Sequence, residues 1–228
     1  MTRRLYLLRH GQTDHNATRR MQGQLDTHLS EAGLEGAHRV AEMLEGREIS
    51  KVIASDLSRA ADTARVVGER IGVEVTIDPR LRETHLGEWQ DMHHDEVDVR
   101  YPGARVYWRH DPTWAPPGGE SRIQVAQRAR RVIDELMATF DDWNNSAVLV
   151  VAHGGTISAL AGSLLGFSTP MFPLLGSLSN THFAVLSARP AFNPAVESAE
   201  SLSPDFAPGG GTSAQWYLNG WNIGLGDI

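Results

Sequence analysis

Apolar residues fall along this chain in two rhythms: short unbroken runs, and longer stretches with a period near that of an α-helix. The first run, Leu5-Tyr6-Leu7-Leu8, predicts a β-strand whose carboxyl end carries Arg9, His10 and Gly11. The polar residues 11–27 predict a loop. Ser30 then stands as a cap before a helix in which Leu34, Ala37, Val40, Ala41 and Leu44 share one face. Lys51-Val52-Ile53-Ala54 predicts a second strand. Residues 57–71 predict a helix with Ala60, Ala64, Val67 and Ile71 inward, stopped by Gly72 before a third short strand over 74–77. Strand and helix alternate, which is the pattern of an α/β fold.

Residues 82–119 break the alternation. Pro102, Pro112, Pro116 and Pro117 punctuate them, with one short helix expected over 93–99, so they are expected to form an insertion covering the catalytic edge of the sheet. A long amphipathic helix over about 121–140 follows, with Val125, Ala129, Val132, Ile133 and Leu136 on one face. The wholly apolar run 147–152 then suits a parallel strand buried on both sides, ending at His153-Gly154-Gly155. A strand over 182–186 and an edge strand over 216–221 flank residues 189–214, whose Pro, Ala, Ser and Gly content predicts a flexible loop. No internal repeat is found. The expectation is one domain over 1–228, with the insertion at about 82–119 and the loop at about 189–214.

Composition narrows the partners more than the fold. A chain of 228 residues, 41% hydrophobic, can bury a sizeable core. The net charge of −7 and the lack of a basic run argue against nucleic acid or an acidic membrane surface, so an anionic substrate must meet a local basic pocket. Zero cysteines exclude disulfides, thiolate metal sites and cysteine nucleophiles. No stretch reads as a signal peptide or a membrane span, so a cytoplasmic location is expected.

Two predicted strands end in histidine followed by glycine, Arg9-His10-Gly11 and Ala152-His153-Gly154. Loops at strand ends are where open α/β sheets bind ligands. Glycine there lets the backbone turn and a ligand approach, and two imidazoles from neighbouring strands can converge on one phosphate, with arginine holding its charge. The plain alternative is a strand closing in solvated polar residues. A metal-hydrolase reading would use Asp91, His93, His94 and Asp95, but adjacent histidines do not share a helix face as ligands at three- or four-residue spacing do. Trp108 and Trp114 suit either stacking on a sugar face or anchoring an irregular loop.

These motifs resemble the histidine phosphatase superfamily, the phosphoglycerate mutase-like proteins. The likeness rests on Arg9-His10-Gly11, on Arg59 within Ser55-Asp56-Leu57-Ser58-Arg59-Ala60, on Glu83 within Leu81-Arg82-Glu83-Thr84-His85-Leu86-Gly87-Glu88-Trp89, and on His153-Gly154. It covers nearly the whole chain, in the superfamily's order. It implies a three-layer α/β/α sandwich with a mostly parallel central sheet. It also implies His10 as nucleophile, Arg9 and Arg59 as phosphate clamps, His153 as a second pocket histidine, and Glu83 rather than Glu88 as proton donor; phosphoryl transfer would use His153 as a further donor, an imidazolium beside the phosphate dianion. Thr13, Asn16, Gln22, Gly23 and Gly154 are implied as substrate contacts, and Trp114 joins them as the aromatic candidate. No cofactor or metal is implied. The short turn after Glu83 resembles the phosphatase branch more than the mutases, and the intact pocket set argues against a non-catalytic phosphate-binding module. Residues 21–27, 80–90 and 113–121 further resemble one actinobacterial branch acting on a glucosylated phosphoglycerate. That branch implies a small phosphomonoester substrate and a homodimer.

Overall fold

The structure, a computed structural model, describes residues 2–191, 206 and 214–225. Most of the loop expected over 189–214 therefore lies outside the described residues. Its first two residues belong to a strand.

Among the described residues six strands form one sheet: β1 (Arg3–Arg9), β2 (Ile49–Ala54), β3 (Val75–Ile77), β4 (Ala147–Ala152), β5 (Phe183–Pro190) and β6 (Ala214–Ile223), in the order β3-β2-β4-β1-β5-β6. The first four are parallel, β5 runs antiparallel to β1, and β6 antiparallel to β5. Alternation along β1 distributes the core. Leu5 and Leu7 face a layer made by α6 (Arg122–Thr139) and α7 (Gly154–Leu164), while Tyr6 and Leu8 face α2 (Glu31–Leu44) and α3 (Ser58–Ile71). This is the expected α/β/α sandwich. β4 lies between β1 and β2 with all six residues at 0% exposure, which explains why its sequence shows no polar alternation. Each buried Val or Leu there contributes about 1.5–3 kcal/mol.

Local chemistry sets the helix ends as expected. Ser30 accepts from the Gly33 N–H to start α2, and Gly72 adopts φ 72° to close α3. Ser121 and Gln124 form a reciprocal capping box at the start of α6, whose five expected apolar residues are all buried. One inward residue was misassigned. Leu34 is exposed, and the buried face of α2 carries Gly33 and Gly36 instead. The reason is steric: a Cβ on Gly33 would lie 2.0 Å from the Gln12 carbonyl oxygen, so the helix approaches the loop after His10 backbone to backbone.

Three helices were not expected. α1 (Asp14–Ala17) forms inside the polar stretch because Thr13 and Asn16 make a capping box. Past α4 (His94–Arg100), which matches the short helix expected near 93–99, comes α5 (Ala104–His110). Both pack through Val97, Ala104 and Trp108 on a satellite core around Met21, Leu86 and Trp89. α7 begins directly after His153. Its N-cap is His153 itself, which makes no side-chain cap hydrogen bond and is not one of the usual cap residues, so the sequence offered no start signal. Among the described residues, no helix is long and apolar enough to cross a membrane.

Candidate active site

The parallel register of β1 and β4 pairs Arg9 with Ala152, so the two histidine-glycine ends emerge side by side. The His10 N–H donates to the Ala152 carbonyl at 3.1 Å, and the His10 and His153 ring centroids lie 5.0 Å apart. A cavity of about 570 Å³ opens over this edge. Arg9, His10, Asn16, Gln22, Gly23, Arg59, Glu83 and Gly154 line it. The sheet has thus gathered residues spread over nearly 150 positions of sequence.

His10 is buried, and its Nδ1–H donates to the Gly11 carbonyl at 2.7 Å, leaving Nε2 with its lone pair. Burial, then the charges of Arg59 and Arg9, hold its pKa well below the ordinary imidazole value. The ring is therefore neutral and nucleophilic. Its loop is held from two sides: the Asn180 amide donates to the His10 and Gly11 carbonyls at 3.0 and 3.2 Å, and the Gly11 N–H donates to Thr63 Oγ1 at 3.0 Å.

Arg59, on the first turn of α3, donates to the Gly23 carbonyl at 2.8 Å and the Leu25 carbonyl at 2.7 Å. Burial lowers its pKa to about 10, so it stays charged at neutral pH. Arg9 donates to the Leu178 carbonyl at 2.5 Å. Both guanidinium Nε atoms, and Nδ1 of His153, are buried with no hydrogen-bond partner among the described residues. Buried polar nitrogens without partners call for an explanation, and a guanidinium Nε–H is a strong donor to an anion.

Glu83 holds its carboxylate against the start of α7. Oε1 accepts from the Thr84 and Thr156 N–H groups at 2.7 and 3.1 Å, and Oε2 from the Gly155 N–H at 3.0 Å. Gly155 is needed here: a Cβ on it would lie 2.5 Å from Glu83 Oε1. Behind the loop, Arg128 donates to the Arg80, Arg82 and Glu83 carbonyls and pairs with Glu120, whose Oε2 accepts from the His85 N–H at 2.9 Å. Asn16 and Gln22 use their carbonyl oxygens on Thr13, with Gln22 also accepting from Thr27, so their amide NH₂ groups are the ends left for a ligand.

Some expectations change. Thr13 does not line the cavity; it is fully buried and orients Asn16 and Gln22. Trp114 packs on Trp89 at 5.5 Å between centroids and is not part of the cavity wall, because the loop's apolar rings bury one another. Trp108 lines the cavity instead, with the Arg122 guanidinium 5.4 Å from its ring centroid. Burial, then Arg59, His10 and Arg9, push the pKa of His153 well below the ordinary range, so the ring itself is neutral; the imidazolium expected for it was one beside a phosphate dianion. The residues of the metal-hydrolase reading turn to other tasks. Asp91 pairs with His15 and Arg20, and His93 starts α4. Ser55, Thr63, Arg128 and Asn180 were missed. For Thr63 a signal existed, since it lies one helical turn after Arg59 on the same face.

The outer cavity carries a second cationic group. Arg122 and Arg109 have no carboxylate partner among the described residues, and the Arg122 side chain donates to the Arg109 carbonyl at 3.1 Å. His94 lies beside them, and Phe172, Pro173 and Leu175 form an apolar wall.

Comparison with known proteins agrees with this geometry. Residues 5–197 match the profile of the histidine phosphatase superfamily, branch 1. The chain is 46% identical over 224 residues to a glucosyl-3-phosphoglycerate phosphatase of Mycolicibacterium vanbaalenii, covering 96% of this chain and 94% of that one. It is 36% identical over 167 residues to a probable phosphoglycerate mutase GpmB of Erwinia tasmaniensis, covering 71% and 74%. A mycobacterial glucosyl-3-phosphoglycerate phosphatase solved with VO3 superposes with a TM-score of 0.84 at 45% identity, covering 96% of this chain and 98% of that one. With its neutral strand-end histidine beside two buried arginines and its match over residues 5–197, this chain belongs to the histidine phosphatase superfamily, branch 1.

Proposed function

We propose that this protein hydrolyses a phosphomonoester through a phosphohistidine on His10, and that its substrate is glucosyl-3-phosphoglycerate, released as glucosylglycerate. One observation carries the reading: the neutral His10, its Nε2 bare, sits among buried guanidinium and imidazole nitrogens that lack acceptors. His10 Nε2 attacks phosphorus and the ester P–O bond breaks. Glu83, in its acid form, gives its proton to the departing alkoxide oxygen. Water then attacks the phosphohistidine, its proton passes to the Glu83 carboxylate, and the P–N electron pair returns to His10. Arg9 and Arg59 neutralise charge on the nonbridging oxygens, as a divalent metal does in other phosphatases.

The outer cavity supports the choice of substrate. Arg122 and Arg109 line the same cavity and offer cations to a glycerate carboxylate, and Phe172 and Leu175 offer an apolar surface to a glucosyl group. The high identity to phosphatases of that name supports the same choice. The reading includes one cytoplasmic domain working as a homodimer. Its product would feed synthesis of methylglucose lipopolysaccharides. The likeness to GpmB keeps a second reading, transfer between the 2- and 3-hydroxyls of glycerate.

A phosphate-release screen over glucosyl-3-phosphoglycerate, 3-phosphoglycerate and hexose phosphates, with and without EDTA, tests both. Preferential release from the glucosylated substrate, unchanged by EDTA, is expected. Equal release from all would make the protein a broad sugar-phosphate phosphatase. Isomerisation of 3-phosphoglycerate without phosphate release would establish the mutase, and activity lost to EDTA and restored by Mg²⁺, Mn²⁺ or Zn²⁺ would establish a metallophosphatase.

A further inference from the structure

Ser55 is the first residue beyond β2 and has no exposed surface. Its N–H donates to the Val151 carbonyl at 3.0 Å, tying the end of β2 to β4 two residues before His153. Ser55 Oγ lies 2.9 Å from His153 Nε2 and accepts from the Leu57 N–H at 3.3 Å. The hydroxyl oxygen already accepts from the Leu57 N–H, and Nε2 is the one acceptor that its single proton meets among the described residues, so the O–H donates to Nε2. A neutral ring whose Nε2 accepts must carry its own proton on Nδ1. Nδ1 is the buried nitrogen that lacks a partner among the described residues.

We infer that Ser55 is a positioning residue that locks the neutral His153 as its Nδ1–H tautomer, so that the ring offers a donor, not a lone pair, to a phosphoryl oxygen. The inference rests on the phosphoryl-transfer reading of the cavity. His10 and His153 then share one tautomer but offer opposite ends. His10 spends Nδ1–H on Gly11 and attacks with Nε2, whereas His153 spends Nε2 on Ser55 and donates from Nδ1. In the other tautomer, the Nδ1 lone pair of His153 would face anionic oxygen. The pocket would lose a donor and gain a repulsion without any change in its shape.

The test is a long-range ¹H–¹⁵N correlation spectrum of the histidine side chains, with His153 assigned by its loss in His153→Gln. Wild-type protein should show His153 protonated at Nδ1 alone, and added inorganic phosphate should shift that proton. Ser55→Ala should give a mixed or reversed tautomer. In turnover, Ser55→Ala should lower kcat/KM by about 10–100-fold, the range seen when a partner that orients a functional histidine is removed. It should cause no further loss in the His153→Gln background. Protonation at Nε2 in the wild type, an unchanged tautomer in Ser55→Ala, or multiplicative losses in the double variant would overturn the inference. The wild-type tautomer is read without Ser55→Ala having to fold. If the tautomer and its phosphate shift are as expected while no phosphomonoester is hydrolysed, the catalytic reading fails and the positioning role stands.

Discussion

His10 and Glu83 divide the chemistry because their surroundings differ. His10 is enclosed by cations and donates its single N–H to its own loop, so its lone pair is committed to attack. His10→Ala is expected to abolish turnover, and wild-type protein quenched during turnover should carry an acid-labile, base-stable phosphoryl group, read by radiolabel retention. Full activity in that variant would remove the nucleophile. Glu83 is held by three backbone N–H groups, two of them on one oxygen. Departure of an alkoxide needs a proton, whereas departure of p-nitrophenolate hardly does. Glu83→Gln, whose amide keeps one acceptor oxygen, should therefore slow hydrolysis of glucosyl-3-phosphoglycerate far more than that of p-nitrophenyl phosphate. The difference should fall on the order of 10²–10⁴-fold, the usual worth of general acid catalysis. Glu88→Gln is the control, since Glu88 faces Tyr101 and Arg100 and is not part of the cavity wall. Leaving-group dependence in the Glu88 variant alone would mean the wrong carboxylate has been assigned.

At the scale of elements, the loop carrying Glu83 is braced from α6 rather than by its own backbone. Arg128 reaches across to three of its carbonyls and to Glu120. Arg128→Met keeps the apolar stem and removes every one of these donors. Because Arg128 and Glu120 retain some exposure, the destabilisation should be about 1–3 kcal/mol, below that of a fully buried pair. Urea unfolding measures it. The same variant should lower kcat for alkyl phosphates while leaving phosphate affinity near wild type, because Arg9, Arg59 and His153 are not braced by α6. A parallel loss of phosphate affinity would show that Arg128 holds the whole pocket rather than the acid loop.

For the whole molecule, two buried neutral histidines at the sheet edge make stability depend on pH. Folded His10 and His153 titrate well below their unfolded value of about 6.5. As pH falls through about 6.5, the unfolded chain takes up protons that the folded chain does not, so stability is full above that value and declines below it. Each histidine adds up to about 1.4 kcal/mol per pH unit of decline. Denaturant unfolding at pH 7.5 and pH 5.5 should show a larger loss in wild type than in a His10→Ala/His153→Gln double variant. Equal losses would place the acid sensitivity elsewhere, as at His94, whose pKa burial also lowers, and not in Asp78 or Asp56, which are held below the ordinary carboxylate range and lose their charge only at lower pH.

The sequence by itself determined the strand-helix alternation, the wholly buried β4 and the ends of α2, α3 and α6, because backbone periodicity and caps act over a few residues. It also placed Arg9, His10 and His153 at strand ends, Arg59 at a helix start and Glu83 in a loop, where local motifs announce them. Only the tertiary structure decided which nitrogens of those residues are spent and which remain. The Ser55 hydroxyl against His153, the Asn180 amide over the His10 loop and the Arg128 brace under Glu83 join positions from 45 to 170 residues apart. Nothing in the local pattern marks such pairings. The same holds for Leu34, turned outward because Gly33 seats against the Gln12 carbonyl, and for Trp114, taken by Trp89 while Trp108 carries Arg122 to the cavity. Hydrophobic period states only that a side chain has a face to bury. Which neighbour fills that face depends on close packing between distant segments, and that packing exists only once the sheet has assembled.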